Sequence, residues 1–228
     1  MAQLRQDRRT TVQTSKEHTM QLIGMLDSPY VRRVAVSLQL LGLKFEHRPV
    51  SVFRTFDEFR GINPVVKAPT LVCDDGTVLM DSTLILDLAE ALAAPRSLMP
   101  AALGQRTHAL RVIGLALAAC EKSAQIIYER GLRPAEKQHE PWVARVSGQL
   151  RAAYEGLEME IARRPPSAEQ ASLDQAGLTA AIAWFFTQQV LPEVVPAAAH
   201  PALVAWSAKA ETLPVFQAAP HGEAVAVL

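Results

Sequence analysis

Gln21-Leu22-Ile23-Gly24-Met25-Leu26-Asp27-Ser28-Pro29-Tyr30 is the stretch whose reading decides the fold. Gln21 to Leu26 reads as a short apolar strand. Asp27-Ser28-Pro29 then opens a helix whose apolar positions Val31, Val34, Ala35, Leu38 and Leu41 share one face. Ser28 suits the N-cap, Pro29 suits the first helical position, and Gly42 stops the helix. A helix that starts directly after a strand presents free amides and the positive end of its dipole, which favour a nearby anion. A Ser-Pro start is also simply good capping, and this stretch alone does not choose between the two roles.

Outward from it, Phe45 to Val52 reads as a second strand and Thr55 to Gly61 as a short irregular helix. Pro69 to Cys73 and Val78 to Met80 form a hairpin through Asp74-Asp75-Gly76-Thr77, and Ser82 to Leu92 forms a closing helix. This order implies a small mixed sheet covered by helices. Composition then shifts: residues 1–100 hold 7 alanines and residues 101–228 hold 29, a helix-former's composition in the second segment. Helices are expected at roughly 104–130, 142–163, 173–190 and 201–211, with a last turn near 214–218. Ser172-Leu173-Asp174-Gln175 fits a capping box for the third, and Leu178, Ile182, Phe185 and Phe186 make that helix apolar around most of its circumference, hence buried. Ala94-Pro95-Arg96-Ser97 marks the join. The expected division is an α/β domain over 20–94, a linker over 95–103 and an all-helical domain over 104–228. Residues 1–19, polar and aperiodic, read as a flexible arm, or as an extension ahead of a natural start at Met20.

Charge and cysteine usage narrow the function classes. The 23 basic and 23 acidic side chains cancel, which removes the surplus of Lys and Arg that nucleic acid or an anionic membrane surface needs. No run of about 18 apolar residues and no secretory signal is present, so a cytoplasmic location is expected. Cys73 and Cys120 match neither a redox pair nor zinc-ligand spacing, and the six histidines are scattered singly, so no metal is expected. Cys73 and Cys120 read as buried structural thiols, Trp142, Trp184 and Trp206 as packing residues, and His108 and His139 as surface residues.

Two further features bear on chemistry. Val66-Lys67-Ala68-Pro69-Thr70 sets a proline at the head of a strand. A cis bond there would leave the preceding amide and carbonyl free to pair with an extended peptide, while a plain strand-edge proline is the simpler alternative. Asp81-Ser82 sits immediately before a helix and offers a hydroxyl, free amides and a carboxylate at one point, suited to a zwitterion or merely to capping.

Taken together, Ser28-Pro29-Tyr30-Val31-Arg32-Arg33, Asn63-Pro64, Lys67-Ala68-Pro69-Thr70-Leu71 and Asp81-Ser82, at these spacings, resemble the thioredoxin-like half of soluble glutathione transferases, in particular bacterial, serine-type members. His200-Pro201-Ala202-Leu203, Trp206 and Leu213-Pro214-Val215-Phe216 resemble the end of their helical domain, so the likeness runs over about residues 20–220. The resemblance implies an α/β thioredoxin-like N-terminal domain followed by an all-α helical-bundle C-terminal domain. It implies glutathione as co-substrate, a small hydrophobic electrophile as second substrate, detoxification as the setting and a homodimer as the assembly. By the same resemblance Ser28 touches the glutathione sulfur and Lys67 meets the glycyl carboxylate. Ala68 pairs with the cysteinyl unit ahead of a cis proline, Asp81 and Ser82 hold the γ-glutamyl end, and Arg54 adds a further basic contact. Asp81 stands where glutamate is commoner, and Gln175 where aspartate is usual in the capping box.

The chemistry itself follows from acid strength. A free thiol with pKa about 8.5 is only a few per cent thiolate at neutral pH, and the thiolate is the nucleophile. Lowering that pKa by about two units raises the reactive species roughly 25-fold, for about 2.7 kcal/mol of differential stabilisation. One hydroxyl hydrogen bond at a helix start can supply this, and a hydroxyl can cap and donate at once. Two other readings stay open: a non-catalytic glutathione-binding or regulatory member, and a glutathione-dependent isomerase or peroxidase of the same fold. Tyr30 reads as a packing residue, and the acceptor pocket is expected near Leu26, Ile113, Leu117 and Tyr128.

Overall fold

The computed structural model describes residues 20–222; the arm expected over residues 1–19 lies outside the described residues. The N-terminal part runs β1 (Gln21–Ile23), α1 (Pro29–Leu41), β2 (Glu46–Arg48), α2 (Phe56–Ile62), β3 (Thr70–Val72), β4 (Val78–Met80) and α3 (Ser82–Ala93). The sheet order is β2-β1-β3-β4, with β1 parallel to β2 and antiparallel to β3, and β3 antiparallel to β4. Leu22 pairs with His47 on one side and Leu71 on the other, and Leu22 and Leu71 are both buried in the core. Helices α1 and α3 pack together beside the sheet, and Phe59 of α2 meets Ile23 and Val50 in a separate small cluster.

Both ends of α1 are set locally. Ser28 is the N-cap and Pro29 the first helical residue. At the far end Gly42 adopts φ +74°, and its amide reaches the Gln39 carbonyl at 3.0 Å while the Leu43 amide reaches the Leu38 carbonyl at 2.9 Å. This is a Schellman ending, whose left-handed residue favours glycine. The second strand is shorter than its apolar span suggests, because Pro49 has no amide to extend the ladder and Val50 turns its amide back onto Arg48.

The second part contains α4 (Leu103–Leu132), α5 (Glu140–Arg163), α6 (Gln175–Val190), α7 (Pro201–Ala210) and α8 (Pro214–Gln217). Helix α6 is buried on nearly every side and packs against α1, α4 and α7. Its expected capping box is not formed. Asp174, not Ser172, is the N-cap, accepting the Gly177 amide at 2.8 Å. Ser172 belongs to a 3₁₀ turn instead, and the Gln175 amide is taken by the Leu98 carbonyl at 3.0 Å. The Gln175 side chain turns to Ser37 and Thr179, tying α6 to α1. Trp184 and Trp206 are buried as expected, whereas Trp142, near the start of α5, is exposed.

Candidate active site between the two domains

The end of β1, the start of α1, the segment around Lys67 and one face of α4 enclose a cavity of about 290 Å³. Ser28, Arg54, Lys67 and Ala68, four of the six expected site residues, line it. Asp81 and Ser82 lie outside its wall but adjoin it through Lys67, whose Nζ stands 3.6 Å from Asp81 Oδ2. The backbone strains at both places: Val66 adopts φ +52° and Asp81 φ +75°, conformations costly for residues other than glycine.

Ser28 uses its oxygen as a weak cap, accepting the Val31 amide at 3.5 Å. That bond takes one lone pair and leaves the hydroxyl hydrogen to be donated elsewhere. The Ala68–Pro69 bond is cis, and the Ala68 amide and carbonyl make no backbone bond among the described residues. Asn63 holds this segment, donating to Thr70 Oγ1 at 2.8 Å, while Thr70 Oγ1 donates to the Lys67 carbonyl at 2.7 Å. Asp81 accepts the Thr83 amide at 2.9 Å through Oδ1 and turns Oδ2 to Lys67. Ser82 Oγ accepts a bond of 3.1 Å from Arg33 Nη1.

The opposite wall is apolar and comes from the helical domain: Ala124, Ile127 and Tyr128 of α4 and Phe186 of α6. Of the four residues expected near an acceptor pocket, Tyr128 lines the cavity, while Leu26, Ile113 and Leu117 pack in or against the core instead. Phe53 meets Tyr128 edge-on across the domain boundary, with ring centroids 5.8 Å apart at 83°. Tyr30 is partly buried yet also lines the cavity, and burial pushes the hydroxyls of both Tyr30 and Tyr128 upward, so both stay neutral hydrogen-bond donors. Asp27, beside Ser28, was not among the expected residues. Burial raises its carboxyl above the usual value, against the opposing pull of the Ser28 amide and Arg54. Among the described residues no cluster of metal-ligating side chains occurs.

Residues 22–97 match the family model of the glutathione S-transferase N-terminal domain. A glutathione transferase family member of Pseudomonas fluorescens Pf-5, solved with bound S-(propanoic acid)-glutathione, superposes with TM-score 0.75 at 27% identity over 90% of this chain and 99% of its own. Residues 22–97 form a glutathione S-transferase N-terminal domain, and the described chain has the fold of glutathione S-transferases. A glutathione S-transferase of Methylobacterium radiotolerans, solved with glutathione sulfonate, shares the glutathione S-transferase fold at TM-score 0.81 and 23% identity, over 91% of this chain and 97% of its own. The uncharacterized GST-like protein YibF of Escherichia coli K12 is 22% identical over 173 residues, 76% of this chain and 85% of its own length. The architecture expected for the superfamily, a mixed four-stranded sheet with flanking helices followed by a helical region, is the one observed.

Proposed function

We propose that this chain is a serine-type glutathione transferase, which ionises the thiol of glutathione and directs it at a small hydrophobic electrophile. One observation carries the reading: Ser28, Arg54, Lys67 and Ala68, distant in sequence, converge on one cavity whose far wall is apolar. Ser28 stands at the start of a 13-residue helix, where dipole and hydroxyl both favour a thiolate. Lys67 suits the glycyl carboxylate, the Ala68 backbone suits the cysteinyl unit, and Asp81 with Ser82 suits the γ-glutamyl end. The sulfur then attacks an electrophilic carbon, forming a carbon–sulfur bond as the leaving group departs or the electrophile's π electrons shift. The Tyr30 and Tyr128 hydroxyls can donate to oxygen on the acceptor. Holding both reactants in one cleft adds the benefit of proximity.

The proposal includes a homodimer in the cytoplasm. The exposed Leu84 and Leu92 of α3 and Leu103 and Leu110 of α4 supply apolar surface for such an interface, and no helix among the described residues is long and apolar enough to cross a membrane. The test is a conjugation screen of electrophiles with glutathione, run beside Ser28→Ala. The variant is expected to keep glutathione binding and to lose roughly 25-fold in kcat/KM at pH 7, the loss of thiolate alone. Tight glutathione binding with no turnover of any electrophile would contradict catalysis and favour the binding-module reading.

A further inference from the structure

Arg33 lies on α1 with only 3% of its surface exposed. Burying a guanidinium without a partner of opposite charge costs several kcal/mol, so buried arginines are ordinarily paired with carboxylates. Among the described residues no carboxylate oxygen lies within 4.0 Å of it. It spends its N–H groups on three hydroxyls instead: Nε on Thr179 Oγ1 at 3.2 Å, and Nη1 on Ser82 Oγ at 3.1 Å and Thr83 Oγ1 at 3.3 Å. Asp81, the nearest acidic neighbour in sequence to these hydroxyls, is engaged by the Thr83 amide and Lys67. Burial lowers the guanidinium to about 10, still charged at neutral pH.

Ser82 is 4% exposed and receives a hydrogen bond without giving one among the described residues. Other buried hydroxyls here differ: Ser37 donates to the Arg33 carbonyl and Thr70 to the Lys67 carbonyl. With Arg33 occupying a lone pair, the hydrogen of Ser82 is left for an acceptor arriving from outside. That acceptor would meet an O–H, the free amides of the α3 start and a buried guanidinium with no carboxylate in direct contact, with Asp81 beside it for a cation.

We infer that Arg33 is a positioning residue for an α-amino-acid zwitterion: it orients the Ser82 hydroxyl toward the ligand's α-carboxylate and supplies the charge that offsets it. The inference rests on the glutathione reading and deepens it, since the γ-glutamyl end of glutathione is such a zwitterion. Thr179 belongs to α6, so the helical domain fixes the guanidinium and thereby takes part in recognising the part of the ligand farthest from the sulfur.

The test compares glutathione with its analogue in which the γ-glutamyl α-carboxylate is replaced by hydrogen, using the full chain and Arg33→Met, Arg33→Lys and Ser82→Ala. Arg33→Met is expected to raise the KM for glutathione about 30-fold, as for one lost charge-assisted hydrogen bond, with kcat at saturation changed less than about threefold. Arg33→Lys recovers part of the loss. The analogue binds the parent chain weakly and is indifferent to either substitution. In the Ser82→Ala background, Arg33→Lys raises KM no further, which keeps the test open if Arg33→Met folds poorly. Equal weakening of glutathione and analogue by Arg33→Lys would overturn the inference alone, assigning Arg33 a purely structural role. A parent chain that binds neither ligand would overturn the glutathione reading with it.

Discussion

Arg32 grips Glu211 with two hydrogen bonds of 2.7 and 2.6 Å, joining the first helix of the α/β domain to the end of α7 in the helical domain. The guanidinium also donates from Nε to the Ala219 carbonyl at 2.8 Å and lies against the rings of Phe185 and Phe216. Arg32 is 1% exposed, so removing its partner strands a buried charge. Glu211→Ala is expected to cost about 3 kcal/mol, read as a lower urea midpoint. A change below about 0.5 kcal/mol would mean that the pair is solvated in solution.

The same tail carries a pH response. Burial and the nearby Arg32 lower the His221 imidazole to about 4, below its ordinary value near 6.5. The folded state therefore binds fewer protons than the unfolded one between those values, and stability falls as pH drops from about 6.5 toward 4. His221→Gln should flatten the dependence of thermal midpoint on pH in that window while leaving the profile above pH 7 unchanged. An unaltered slope would remove His221 from the account.

Helix α6 offers a direct comparison of two candidate caps. Asp174→Ala should destabilise by about 1 kcal/mol, and Ser172→Ala by less than about 0.5 kcal/mol. Denaturant unfolding of the two variants decides it, and the reverse order would restore the capping box at Ser172.

The thiols differ in environment. Cys120 is buried and pushed up to about 12, whereas Cys73 is partly exposed, its thiol raised more moderately by burial and the neighbouring Asp74 and Asp75. A thiol reagent at neutral pH should modify Cys73 slowly in the native protein and Cys120 only after denaturation. Rapid native reaction of both would contradict the buried placement of Cys120.

What was legible beforehand divides by the range of the forces involved. The boundaries of α1 rest on Ser28, Pro29 and Gly42, which act within one turn of themselves, and the hairpin of β3 and β4 rests on Asp74-Asp75-Gly76-Thr77. The cap of α6 is not fixed locally, because Ser172 and Asp174 both suit the role, and the choice falls to a distant partner, the Leu98 carbonyl that takes the Gln175 amide. Cys73, expected to be buried, lies just past β3 in the turn toward β4 and is partly exposed. Of the acceptor wall, Tyr128 alone is legible in the sequence, and for a similar reason the rest is not. Ala124 and Ile127 differ from Ile113 and Leu117 only in height and facing along a 30-residue helix, which tertiary packing sets. Nothing local in the sequence signals that Arg32 and Arg33 are enclosed by a second domain.

The central claim is that the Ser28 hydroxyl keeps a bound thiol ionised, and titrating the thiolate absorbance of glutathione bound to the parent chain and to Ser28→Ala tests it most directly. The account predicts a bound-thiol pKa about two units below the free value of about 8.5 in the parent, returning to that value in the variant. The same depressed pKa in both proteins, or an unshifted one in the parent, would contradict it.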